Sequence, residues 1–183
     1  MRFFKPHILL IFGFITTVLA CSNEPSLQTY YVDNELQPGF STLDMPLSFL
    51  NIEEAELSKE EQEAIDAVDK LNMLSFIIND DNREQYQTEL ATVKDILEQE
   101  DYEELMRGGS STEGKFKILL EGEEDDLDEI ILFGNADDKG FAIVRILGDD
   151  MNANHLVKFI TTLDKADVSD EKAGQILNFF QMN

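Results

Sequence analysis

Apolar residues recur along this chain with two different periods, and the change from one to the other divides it into elements. Leu57, Ala64, Ile65 and Val68 share one face of a helix that Ser58-Lys59-Glu60-Glu61 opens as a capping box, with Glu61 at the N3 position. The stretch LNMLSFII, residues 71 to 78, is short and apolar on both parities, which predicts a central strand covered on one face and partly on the other. Asn79-Asp80-Asp81-Asn82 then caps a second helix, in which Tyr86, Leu90, Val93 and Leu97 repeat at helical spacing.

From Tyr102 to Gly148 the period is that of extended chain. Four segments, YEELMRG, KFKILLE, DEIILFG and FAIVRIL, are separated by the turn-rich pieces GGSST, GEEDD and NADDKG. In the second, Phe116, Ile118 and Leu120 fall on one face and Lys115 and Lys117 on the other, as in a half-exposed antiparallel strand. In the last, Ala142, Val144 and Ile146 face inward, while Arg145 shares the opposite face with Phe141, Ile143 and Leu147. Asp149-Asp150 opens a third helix with the stripe Ala153, Leu156, Val157, Ile160 and Leu163, and Ser169 a fourth with Ala173, Ile176, Leu177 and Phe180. The expected fold is a single two-layer α+β domain over residues 45–183, an antiparallel sheet of about five strands with helices packed on one face.

Upstream of that domain the period disappears. Residues 22–44 carry Pro25, Pro38 and Gly39 among scattered polar residues and read as a flexible tether reaching about 25 Å on average. The alternative is that Tyr30, Tyr31, Val32 and Phe40 dock on the domain. Residues 1–20 have the organisation of a secretory signal: Arg2 and Lys5, an apolar run from Ile8 to Leu19, and Ala20 before Cys21. The run is about a dozen residues against the roughly 20 that span a bilayer, which favours a cleaved peptide over a retained helix. Val18-Leu19-Ala20-Cys21 resembles the lipobox of bacterial lipoproteins, although Leu19 is a slightly unusual occupant of its position. In that family of signals the cysteine sulfur is acylated and becomes the first mature residue. Two or three acyl chains, at about 0.8 kcal/mol per buried CH₂, anchor stably where one is marginal. The competing reading is an ordinary signal peptide with an incidental cysteine.

Cys21 is the chain's single cysteine, so its lipidation leaves no thiol for disulfides, redox chemistry, nucleophilic catalysis or thiolate metal sites. Removing residues 1–20 leaves about 163 residues, enough for one domain with a proper core. It takes Lys plus Arg from 14 to 12 and leaves all 38 acids, moving the formal charge from −24 to −26. A chain this acidic has no clustered Lys/Arg footprint for phosphate, so nucleic acid is not an expected partner. The same charge holds the body away from anionic headgroups.

Candidate chemistry is sparse. His155 is the only imidazole after the signal segment, too few for a zinc site or a Ser-His-Asp triad, and is expected at a helix surface. Ser169-Asp170-Glu171-Lys172 matches SxxK, but neither SDN nor KTG accompanies it, and Ser169 already serves as a helix cap. There is no GxSxG, GxGxxG or Walker A loop, and no cofactor is implied. Acidic residues gather at strand ends. Asp137, Asp138, Asp149 and Asp150 are the candidate ligands for a cation such as Ca²⁺, and the Asn135 segment resembles an EF-hand opening with Gly140 at its sixth position. Ile146 stands where the twelfth-position glutamate belongs, and solvated turns are the competing reading.

LNMLSF at 71–76, YEELM at 102–106 and EIILFGNADDKGFAIVRILGDDMNANHLVKFI together resemble the domain of unknown function family 4252, small predicted lipoproteins of Bacteroidota. The similarity covers roughly residues 60–163. It implies an envelope lipoprotein of α+β fold and supplies no catalytic residues. The expected function is that of an outer-membrane-anchored, non-catalytic module for protein interaction or assembly, facing the periplasm or the exterior. Its partners would be the membrane, through the anchor, and an envelope protein, met at an edge strand or at the sheet face that bears Arg145. A calcium- or small-ligand-binding lipoprotein is the alternative.

Overall fold

The computed structural model describes residues 25–47, 57–99, 102–110, 114–124 and 126–165. In chain order the elements are α1 (Leu27–Asn34), β1 (Phe40–Pro46), α2 (Lys59–Asp66), β2 (Val68–Ile77), α3 (Arg83–Leu97), β3 (Glu103–Ser110), β4 (Gly114–Glu123), β5 (Asp126–Ala136), β6 (Gly140–Met151) and α4 (Ala153–Lys165). The fourth expected helix, from Ser169, lies outside the described residues, as do Cys21 and the signal segment.

The six strands form one sheet in the order β1-β2-β6-β5-β4-β3, antiparallel at every junction. The extended segments from Tyr102 onward are consecutive neighbours, β3 to β6, and β2 closes on β6 as the predicted central strand. Local chemistry fixes the elements. Ser58 caps α2 reciprocally with Glu61: the Glu61 amide donates to Ser58 Oγ at 3.3 Å and the Ser58 amide to Glu61 Oε2 at 2.9 Å. Gly140 starts β6 at φ 126°, and a Cβ there would stand 1.8 Å from the Phe76 carbonyl oxygen, so only glycine lets β2 and β6 meet at this point.

The α+β class and the antiparallel sheet follow the sequence pattern, and two details differ. Residues 25–46 are no tether. They supply α1 and β1, and β1 pairs along its whole length with β2, from Phe40 opposite Phe76 to Pro46 opposite Lys70, adding the sixth strand. Helices also cover both sheet faces rather than one. On one face Ile65 of α2 and Leu156 and Phe159 of α4 pack on Leu71, Met73, Ile130, Val144 and Ile146. On the other, Leu27, Tyr30 and Tyr31 of α1 and Tyr86, Val93 and Ile96 of α3 pack on Leu74, Phe76, Ile131, Phe133, Phe141 and Ile143. Alternate residues of β2 and β6 feed both cores, which is why both strands are apolar on both parities.

The sheet therefore has two distinct ends. At one lie the start of β2, the β4–β5 turn, the β6–α4 corner and the C-terminal end of α3. At the other lie the β5–β6 turn, the β3–β4 connection, the end of β2 and the start of α3. Helix α1 begins at the first end, where Gln99 Nε2 donates to the Pro25 carbonyl oxygen at 2.9 Å, and delivers the chain to β1 at the second.

Candidate functional site

The most chemically distinctive region is a band of polar side chains beneath α1. Asp44 of β1 lies opposite Asn72 of β2, and Asn72 lies opposite Arg145 of β6, so all three project from the same sheet face. Glu129 of β5 is two residues along from Ile131, the direct partner of Arg145, and occupies the diagonal position that a long arginine reaches. The contact is a two-pronged one: Arg145 Nε donates to Glu129 Oε1 at 2.5 Å and Nη2 donates to Oε2 at 2.7 Å. Both residues are buried, with 5% and 4% of their surface exposed.

Helix α1 closes the band from above. Gln28 Oε1 accepts from Arg145 Nη1 at 2.5 Å, and one turn on Tyr31 Oη donates to Asp44 Oδ1 at 3.0 Å. Asn72 Nδ2 also donates to Asp44 Oδ1, joining β2 to the same carboxylate of the edge strand. Tyr30 Oη donates to Glu89 Oε2 of α3 at 2.7 Å and ties the two helices of this face together. Spacing of three and four residues puts Leu27, Tyr30 and Tyr31 on the sheet side of α1, and Ser26 caps the helix by accepting from the Thr29 amide at 3.1 Å.

The electrostatics follow from burial. Burial alone pulls the Arg145 guanidinium down, and the hydrogen bonds and charge of Glu129 outweigh it, so the Arg145 pKa is raised. Burial, then the Glu89 carboxylate, raises the Tyr30 phenol, and burial, then Asp44, raises that of Tyr31. The band is thus a neutralised charge pair with donors and acceptors directed at one another, an arrangement suited to clamping α1 and β1 onto the sheet.

Arg145 was the residue expected on a contact surface, and the structure corrects that expectation. The helix that covers it comes from the segment whose pattern suggests a tether; of the two alternatives for that segment the structure has the docked one, with Tyr30, Tyr31 and Phe40 packed on the domain and Val32 exposed. The candidate cation ligands do not converge either. Asp137 and Asp138 sit exposed in the β5–β6 turn, whereas Asp149 and Asp150 sit exposed at the far end of β6, about 35 Å away along the strand. Among the described residues no group of three or more His, Asp or Glu side chains is placed to hold a metal ion. His155 lies in the first turn of α4. Asn152 Oδ1 accepts the Asn154 and His155 amides at 3.0 and 3.1 Å, which turns Asn152 Nδ2 toward His155 Nε2 at 3.3 Å and leaves the buried Nδ1 without a partner. The helix that would carry Ser169 and Lys172 is outside the described residues.

Tyr31 was legible as a residue that docks on the domain, whereas Gln28, Asp44, Asn72 and Glu129 carry no sequence signal that singles them out as a group. A signal existed for Glu129, an acid on the same strand face as Ile131 and Phe133 and therefore pointed at a core.

A family model described as Domain of unknown function (DUF4252) matches residues 31–159. The chain belongs to the DUF4252 family. The DUF4252 match begins at Tyr31 in α1 and ends at Phe159 in α4, so it takes in β1 and four members of the polar band, Asp44, Asn72, Glu129 and Arg145. A comparison with curated proteins found no match, and neither did one with solved structures.

Proposed function

We propose that this protein is a lipid-anchored module of the bacterial cell envelope, held at the outer membrane through Cys21 and acting without catalysis by binding an envelope protein. The observation that carries the reading is Val18-Leu19-Ala20-Cys21 directly behind a cationic start and a short apolar run, with that cysteine the only one in the chain. Two features of the folded part support it. The buried Arg145–Glu129 pair is directed at Gln28 and at itself rather than into an open cleft. The strand-end carboxylates are spread over both ends of the sheet instead of converging on a reaction centre.

The test is metabolic labelling with an alkyne fatty acid in a host that processes lipoproteins, followed by fractionation of the envelope. Wild-type protein is expected to carry label, to lose residues 1–20 and to sediment with outer membrane, whereas Cys21→Ala stays unlabelled. An unacylated mature N-terminus in the soluble fraction overturns the proposal. Crosslinking in the same cells then asks for one reproducible envelope partner whose recovery depends on Cys21.

A further inference from the structure

We propose that the anchored domain stands on the membrane with a fixed end down: the end bearing the β4–β5 turn and the β6–α4 corner faces the bilayer, and the end bearing the β5–β6 turn faces away. This rests on the Cys21 anchor proposed above. The geometry comes from α1. Its N-cap is Ser26, only five residues after Cys21, and five residues fully extended span at most about 17 Å. The last of that span is itself held, because Gln99 at the C-terminal end of α3 donates to the Pro25 carbonyl. The lipid is therefore attached at one end of the sheet, and the far end is separated from it by the whole length of the strands, ten to twelve residues in β4, β5 and β6 and about 35 Å.

The charge on the lower end makes an upright posture the favourable one. Glu98, Glu123, Glu124, Asp126, Asp149 and Asp150 are all exposed there. A domain that lay on its side would bring its helices and the rest of its negative charge onto the headgroups, whereas standing on a short linker confines the repulsion to one end, within one or two Debye lengths of about 8 Å. The posture also decides what meets a partner. Leu36, 89% exposed after α1, and Ile77, 60% exposed at the end of β2, belong to the outward end, where the Ile77 amide donates to the Gly39 carbonyl at 3.1 Å.

The experiment uses the full lipidated chain. Because Cys21 is the only native cysteine and acylation consumes its thiol, Glu124→Cys or Asp138→Cys gives one labelling position in an exposed turn at either end. Each labelled protein is bound to vesicles of phosphatidylcholine and phosphatidylglycerol that carry a headgroup acceptor, and flotation is scored beside energy transfer. The proposal expects complete flotation of both and several-fold higher transfer from position 124 than from 138. Flotation with equal transfer, or with the order reversed, overturns the orientation and leaves the anchor standing. Failure to float, with the Cys21 thiol still reactive, overturns the anchor and the orientation together.

Discussion

At the scale of single residues, the strongest dependence is on the pair that α1 hides. Removing one partner of a buried ion pair strands the other charge, so Arg145→Ala is expected to lose about 3–5 kcal/mol, read as a lower denaturation midpoint at unchanged slope. Replacing both partners with apolar residues, Arg145→Met with Glu129→Leu, is expected to cost less than the single change. Equal costs would mean that Glu129 is not left buried and unpaired. The tyrosines add a pH dependence whose sign is fixed. Folding raises the Tyr30 and Tyr31 phenols above their ordinary value near 10, so it favours the protonated form. That contribution is complete below pH 10 and is lost as pH rises beyond it, by up to about 1.4 kcal/mol per pH unit per tyrosine. Alkaline titration of stability should therefore fall more steeply for wild type than for the Tyr30→Phe, Tyr31→Phe double variant. Gly140→Ala sets the Cβ against the Phe76 carbonyl in a left-handed conformation, and thermal melting should register a severe loss.

At the scale of elements, legibility in the sequence followed length and period. The strands from Tyr102 onward are extended segments of seven or more residues set off by turn-rich pieces, and α2 carries a capping box, so these elements could be read directly. Helix α1 is eight residues long, too short to be stable alone, and buries only Leu27, Tyr30 and Tyr31 between two prolines. Strand β1 is an edge strand whose sequence FSTLDMP mixes polarity because only Met45 is buried. Both elements exist because of what they pack against, and a local pattern does not carry that information. Missing them turned Arg145 outward and left one sheet face bare. Leu27→Ala, which removes a fully buried side chain from α1, is expected to cost about 2–5 kcal/mol and to raise amide exchange across α1 and β1 before the rest of the sheet.

At the scale of the whole molecule, charge and attachment dominate. The net charge of −24 implies self-repulsion in the compact state. Raising NaCl from low to moderate concentration should therefore raise the melting temperature, and an unchanged or lower value would count against that repulsion. On the anchoring proposed above, attachment matters because residues 25–46 are folded: the reach from Cys21 to the domain shrinks from that of a 23-residue linker to that of five residues, and a lipid on Cys21 would be joined almost directly to the helix that closes the Arg145–Glu129 pair. Hydrogen exchange on the vesicle-bound, lipidated protein tests this coupling most directly. Amides of α1 and β1 should exchange as slowly as those of β2 and β6, with protection close to that of global unfolding. Exchange of residues 27–46 at the rate of an unstructured chain, beside a protected sheet, would contradict the account and restore a long, free tether.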